Sequence, residues 1–246
     1  MKTLLKSKNI PVLVLILGGV GCALRWLLYA TAVDEKNLIP LGHPLAIALW
    51  LVAAAALVLT VMAVKGMNEE ELQENPLGNL GFLGCISLAV GMALTVMADG
   101  FSLSGLEMIR DVLGLLGAAA MVVAAVQKKQ GHPTFFLLSA VVCVFFAVHM
   151  VSCYRGWSSN PQLQDYVFTL FSCISLMLFA YQHAACAADC GSPRLLLAFG
   201  LLSVFSCLVC LSGTADTLLY AAGGIWAATN LAAPALPLPA ETDEGE

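Results

Sequence analysis

The chain has 246 residues, 60% of them hydrophobic and 11% charged, with a formal net charge of −5. A surface that faces water draws on roughly 25% charged residues, so this composition excludes an ordinary soluble domain and requires a surface that meets lipid. A sequence pI of about 5.3 with no basic stripe excludes a nucleic-acid-binding protein.

A bilayer core of about 30 Å takes about 20 helical residues. Eight apolar runs meet that length, the last one barely: 10–31, 44–65, 78–98, 104–126, 133–153, 165–187, 194–213 and 216–232. They predict an all-α, polytopic transmembrane helix bundle. The first run follows Lys2, Lys6 and Lys8 and resembles a signal peptide, but its apolar character continues past Cys22 through Trp26 to Tyr29. It therefore reads as an uncleaved helix.

Turn chemistry separates the runs. Pro40 to Pro44, Asn75-Pro76, Asp99-Gly100, Gly131-His132-Pro133, Asn160-Pro161, Gly191-Ser192-Pro193 and Ser212-Gly213 mark the breaks. Basic residues set the orientation. With the N-terminus inside, Lys2, Lys6, Lys8, Lys65, Lys128, Lys129 and Arg194 all fall on the cytoplasmic side, against Lys36 and Arg155 outside. Both termini are expected in the cytoplasm. Residues 1–233 read as a single transmembrane helical domain. Residues 234–246 read as a disordered Pro-rich acidic cytoplasmic tail.

Two stretches echo each other in order. Gly42-His43-Pro44 matches Gly131-His132-Pro133, Asn75-Pro76 matches Asn160-Pro161, and Cys85-Ile86-Ser87-Leu88 matches Cys173-Ile174-Ser175-Leu176. Helices 2–4 would then correspond to helices 5–7, flanked by helices 1 and 8. Three helices is an odd number, so the second copy would enter from the opposite side, as in a 3+3 inverted repeat.

Charges at membrane depth are costly and normally face the bundle interior. Arg25 lies in helix 1, and Glu107, Arg110 and Asp111 lie near the outer start of helix 4. Their charges sum to zero and their depths match. The expectation is that Arg25 pairs with Asp111 or Glu107 while Arg110 pairs with Glu107, clamping helix 1 to helix 4. The competing reading is a polar cavity open to the outside. Asp99, His149, Asp165 and Asp216 stand near the same face and could form a hydrolytic or metal site. The simpler reading makes Asp99 part of an Asp-Gly turn, Asp165 and Asp216 acids at helix starts, and His149 a hydrogen-bonded interior side chain.

Most of the nine cysteines sit in apolar runs and act as small hydrophobes. Cys207-x-x-Cys210 lies mid-helix without further ligands. Cys186 and Cys190 with His183 have ligand-like spacing at one helix end. The sequence requires no metal and no cofactor, and it identifies no catalytic residue.

The expected partner is the lipid bilayer, with a small molecule conceivable, and the oligomeric state is not given. Compactness and short loops suggest a bacterial inner (plasma) membrane, crossed many times. Three functions follow. The first is a small permease with a polar cluster near the extracytoplasmic side. The second is a membrane-embedded lipid-modifying hydrolase. Size, helix count and scattered aspartates resemble the lysoplasmalogenase group of membrane hydrolases in that respect alone, with no motif to carry over residue by residue. The third is a structural or assembly partner without chemistry.

Overall fold

Proline and glycine punctuate the helices of the computed structural model, which describes residues 10–32, 42–66, 80–101, 105–130, 135–157, 163–212 and 216–231. Among the described residues eight helices follow one another: α1 Ile10–Ala32, α2 Pro44–Lys65, α3 Gly81–Asp99, α4 Gly105–Lys129, α5 Phe136–Trp157, α6 Leu163–Ala187, α7 Pro193–Cys210 and α8 Thr217–Thr229. The described residues form no strand. Seven helices are long and apolar enough to cross a membrane, so the chain is a multi-pass integral membrane protein. The expected tail at 234–246 lies outside the described residues.

Local chemistry explains the boundaries. His43 caps α2, its ring Nδ1 accepting from the Leu45 N–H at 3.4 Å, and Pro44 fills the first turn, where a missing N–H costs nothing. At the end of α6 the Cys190 N–H reaches back to the Ala185 carbonyl at 2.9 Å, with Asp189 in the left-handed region at φ 58°. That arrangement closes a helix by satisfying its last carbonyls.

Six helices form a closed ring: each of α3 to α8 packs on the next, and α8 returns to pack on α3. Phe145 and Phe146 of α5, Phe179 of α6, Phe205 of α7, and Tyr220 and Trp226 of α8 fill the interior. The pair α1 and α2 stands outside the ring, with both helices leaning on α7. Their outer faces expose Leu15, Ile16, Trp50 and Leu51, as a lipid-facing surface does.

Small residues set the closest approaches. A Cβ placed on Gly91 of α3 would sit 2.5 Å from the Ala222 Cβ of α8, and one on Gly21 of α1 would sit 2.7 Å from Val209 of α7. Backbones approach this closely only where no side chain intervenes, which is how helices gain dispersion contact in lipid.

The two stretches that echo each other in sequence are packed differently. In the second, α5 packs on α6 and α6 on α7. In the first, α3 packs on α4, but α2 lies on α1 and α7 instead of α3. The matched turn residues Asn75-Pro76, Gly131-His132-Pro133 and Asn160-Pro161 lie outside the described residues.

The last helix is short. Thirteen residues of α8 rise about 20 Å, against the roughly 30 Å of a bilayer core. Its C-terminal end is held beside the starts and ends of its neighbours: Asn230 accepts from the Lys128 ammonium of α4 and donates to the Gly81 carbonyl of α3 at 3.2 Å. The shortfall therefore falls at the N-terminal end of α8.

Candidate functional site

The residue before α8 reaches α5 through its side chain, well below the end of that helix. Asp216, immediately before α8, places Oδ2 3.5 Å from His149 Nε2. Cys153, one turn after His149 on the same face of α5, places its Sγ 3.6 Å from the same nitrogen. His149 and Cys153 precede Trp157, the end of α5, by eight and four residues, hence by about 12 and 6 Å along the axis. The α7–α8 turn is thus recessed into the bundle. His149 is fully buried, the Asp216 side chain is 20% exposed, and Cys153 is half-buried. The site is closed on the His149 side and open at Asp216 and Cys153.

Asp216 occupies the position before the helix but makes no capping bond with its side chain. The sequence reading made it a helix-start acid. In the structure its carboxylate is turned to His149 instead. The imidazole ring stacks on Phe145 with centroids 5.6 Å apart, and Tyr220 stands beyond it at 6.5 Å. His149 Nδ1 has no hydrogen-bond partner among the described residues. An unpaired acceptor lone pair costs less than an unpaired N–H, which favours the proton on Nε2, the nitrogen that faces Asp216 and Cys153.

The predicted charge cluster is partly assembled and partly corrected. Asp111 is buried with no exposed side-chain surface, and one of its oxygens accepts from Arg110 Nε at 3.0 Å and Nη2 at 2.8 Å. Arg110 does not pair with Glu107 as expected. Glu107 is exposed in the first turn of α4, where an acid meets water and the positive end of the helix. The guanidinium of Arg110 is near enough to act electrostatically on His149. Arg110, Asp111 and His149 therefore belong to one end of the ring.

The clamp between helices 1 and 4 is not formed. Arg25, 2% exposed, turns to α7: Nη1 donates to the Val209 carbonyl at 3.4 Å and lies 3.5 Å from Cys210 Sγ, while Nη2 reaches the Tyr29 hydroxyl at 3.4 Å. Its guanidinium also lies over the rings of Tyr29 and Phe168. Matching depth and opposite charge could not reveal this, because α1 packs on α2 and α7. Asp99 ends α3, and its side chain lies outside the described residues, as does that of Asp165.

Thiols and hydroxyls continue from this end into the bundle. Cys173 Sγ and the Tyr220 hydroxyl are 3.2 Å apart. Ser172 donates to Cys210 Sγ at 3.3 Å, and Ser175 and Ser206 are joined at 3.0 Å. At the opposite end His183 Nδ1 bonds Ser139 at 2.9 Å. The set of His183, Cys186 and Cys190 is not brought together as ligands. Among the described residues, the His, Cys, Asp and Glu side chains that come within ligand distance of one another are His149, Cys153 and Asp216.

Cys153 was not singled out in the sequence, yet the i,i+4 spacing of His149 and Cys153 on a helix carries a readable signal. Asp216 joins them only through the recess of α8, which no local pattern encodes. No protein-family model, curated protein or solved structure matches this chain.

Proposed function

We propose that this membrane protein is a small permease that admits a cation to the His149–Asp216 site. The observation that carries this reading is the short α8, which starts beside His149 about 12 Å below the end of α5. Helices that begin inside the membrane beside ionisable side chains are a recurrent way to build transport sites. Side chains that titrate at membrane depth serve as proton and ion relays. The donors Asp216, His149 and Cys153 suit a cation, while the charge of Arg110 is already matched by Asp111. The hydrolase alternative needs His149 to meet two carboxylates or a bound metal; among the described residues it meets one carboxylate, so that alternative rests on a metal.

The test is flux in proteoliposomes. The purified chain is reconstituted with a pH-sensitive dye inside, and a potassium diffusion potential is imposed with valinomycin. Proton entry above that of empty liposomes is expected, with loss in Asp216→Asn and His149→Gln. Flux equal to that of empty liposomes sinks the proposal for protons, the smallest cation the site could pass.

A further inference from the structure

We infer that His149, Cys153 and Asp216 form a binding site for a divalent transition-metal ion of the zinc type. The inference deepens the permease reading by naming its cation, but the binding claim stands apart from transport.

Two of the three ligand separations match the edges of a tetrahedral coordination sphere. Zinc bonds of about 2.3 Å to sulfur, 2.0–2.1 Å to imidazole nitrogen and 2.0–2.2 Å to carboxylate oxygen give tetrahedral edges of about 3.6 Å for S···N and 3.3–3.5 Å for N···O. The observed separations are 3.6 Å for Cys153 Sγ to His149 Nε2 and 3.5 Å for His149 Nε2 to Asp216 Oδ2. All three ligand atoms lie within 4.8 Å of one another. The i,i+4 pair on α5 supplies a rigid half, and Asp216 closes it from α8.

The donor set selects the ion. Thiolate and imidazole favour zinc and its transition-metal neighbours over magnesium or calcium, which take oxygen ligands. Charge selects it as well. A thiolate, a carboxylate and a neutral imidazole around a divalent ion sum to zero, and zero is the favoured charge at membrane depth. Binding releases one proton: the Cys153 S–H bond breaks, its proton goes to solvent, and sulfur bonds the metal. The His149 proton moves from Nε2 to Nδ1, freeing Nε2 to ligate.

That proton shift also sets the strength. Tightly held metal sites give the far imidazole N–H an acceptor, and His149 Nδ1 has none among the described residues. The three ligands found among the described residues leave a fourth position for an exchangeable group, as in sites that exchange or activate a bound group. The site is therefore exchangeable, as cargo requires, and not a permanent staple.

The full chain in detergent is titrated with Co²⁺ alone, whose thiolate charge-transfer and tetrahedral d–d absorption report Cys and His ligation. These bands are expected, displaced by Zn²⁺, and weakening about tenfold in affinity per pH unit as pH falls, because one proton is released. Cys153→Ser, His149→Ala and Asp216→Asn should weaken binding by more than the roughly 10–100-fold lost when a mere supporting group is removed. Cys207→Ser should leave the bands unchanged. Absent bands, or bands that survive Cys153→Ser and vanish in Cys207→Ser, overturn the inference.

A second measurement needs no variant. Zn²⁺ should protect Cys153 of the unaltered protein from maleimide while the exposed Cys190 continues to react, and equal labelling of both overturns the inference. Metal binding without Zn²⁺ entry into proteoliposomes loaded with a zinc-sensitive dye would remove the permease reading and keep the site. Proton flux without metal binding would do the reverse.

Discussion

At the scale of single residues, two buried arginine neighbourhoods decide what holds this end of the bundle. Arg25 and Asp111 have matching depths in sequence, yet among the described residues Arg25 donates to Tyr29 of α1 and to Val209 and Cys210 of α7. Asp111 takes two from Arg110. Arg25→Ala removes charge-assisted bonds worth about 1.5–3 kcal/mol each, so a loss of several kcal/mol is expected in detergent unfolding. Because the two sites are separate, Asp111→Asn should not rescue it. The double variant should equal the sum of the singles within about 0.5 kcal/mol. A coupling above 1 kcal/mol in that cycle would restore the direct pair. The residues at fault in the sequence reading are instructive. Burial of Asp111 follows from its own helix face, whereas the partner of Arg25 depends on which helix lies beside α1.

Elements were far more legible than their neighbours. The run 44–65 is α2 itself, Pro44–Lys65, and 165–187 differs from α6, Leu163–Ala187, only at its start. Proline and glycine write these boundaries into the chain because they act on the local backbone. Packing between chain neighbours follows from short loops, but packing beyond them is not local and was not legible: α2 against α7, and α8 against α3, follow from shape complementarity across the bundle. Glycines give that complementarity a test. Gly91→Ala would press a methyl 2.5 Å from the Ala222 Cβ and 3.3 Å from the Leu218 carbonyl, an overpacking cost of about 1–3 kcal/mol. Gly19 meets nothing within 4 Å, so Gly19→Ala should be neutral or stabilising by up to about 1 kcal/mol. Equal melting of the two variants would mean that α3 and α8 are not in close contact.

For the whole molecule, the ends of the bundle are chemically unlike. Lys65, Lys128 and Lys129 end α2 and α4 at the end where Arg194 begins α7, while Arg155 ends α5 at the opposite one. By that bias the lysine-rich end is expected in the cytoplasm. Cys190, exposed after α6 at that end, is a natural reporter. A membrane-impermeant maleimide should label it in inverted vesicles and spare it in right-side-out ones, with Cys190→Ser confirming the position. The opposite labelling pattern would reverse the orientation and turn the His149 recess towards the cytoplasm.

The brevity of α8 has a consequence for how the protein is made. A helix of 13 residues is too short to span the hydrocarbon by itself, so the translocon has little reason to release it sideways into lipid. The seven longer helices emerge from the ribosome first and can be inserted one by one. The eighth must settle afterwards into a slot that the others have already shaped, guided by Gly84 and Gly91 on α3. Asp216 therefore arrives beside His149 only after α1 to α7 have been made. The polar recess is completed after the lipid-facing wall around it has been built.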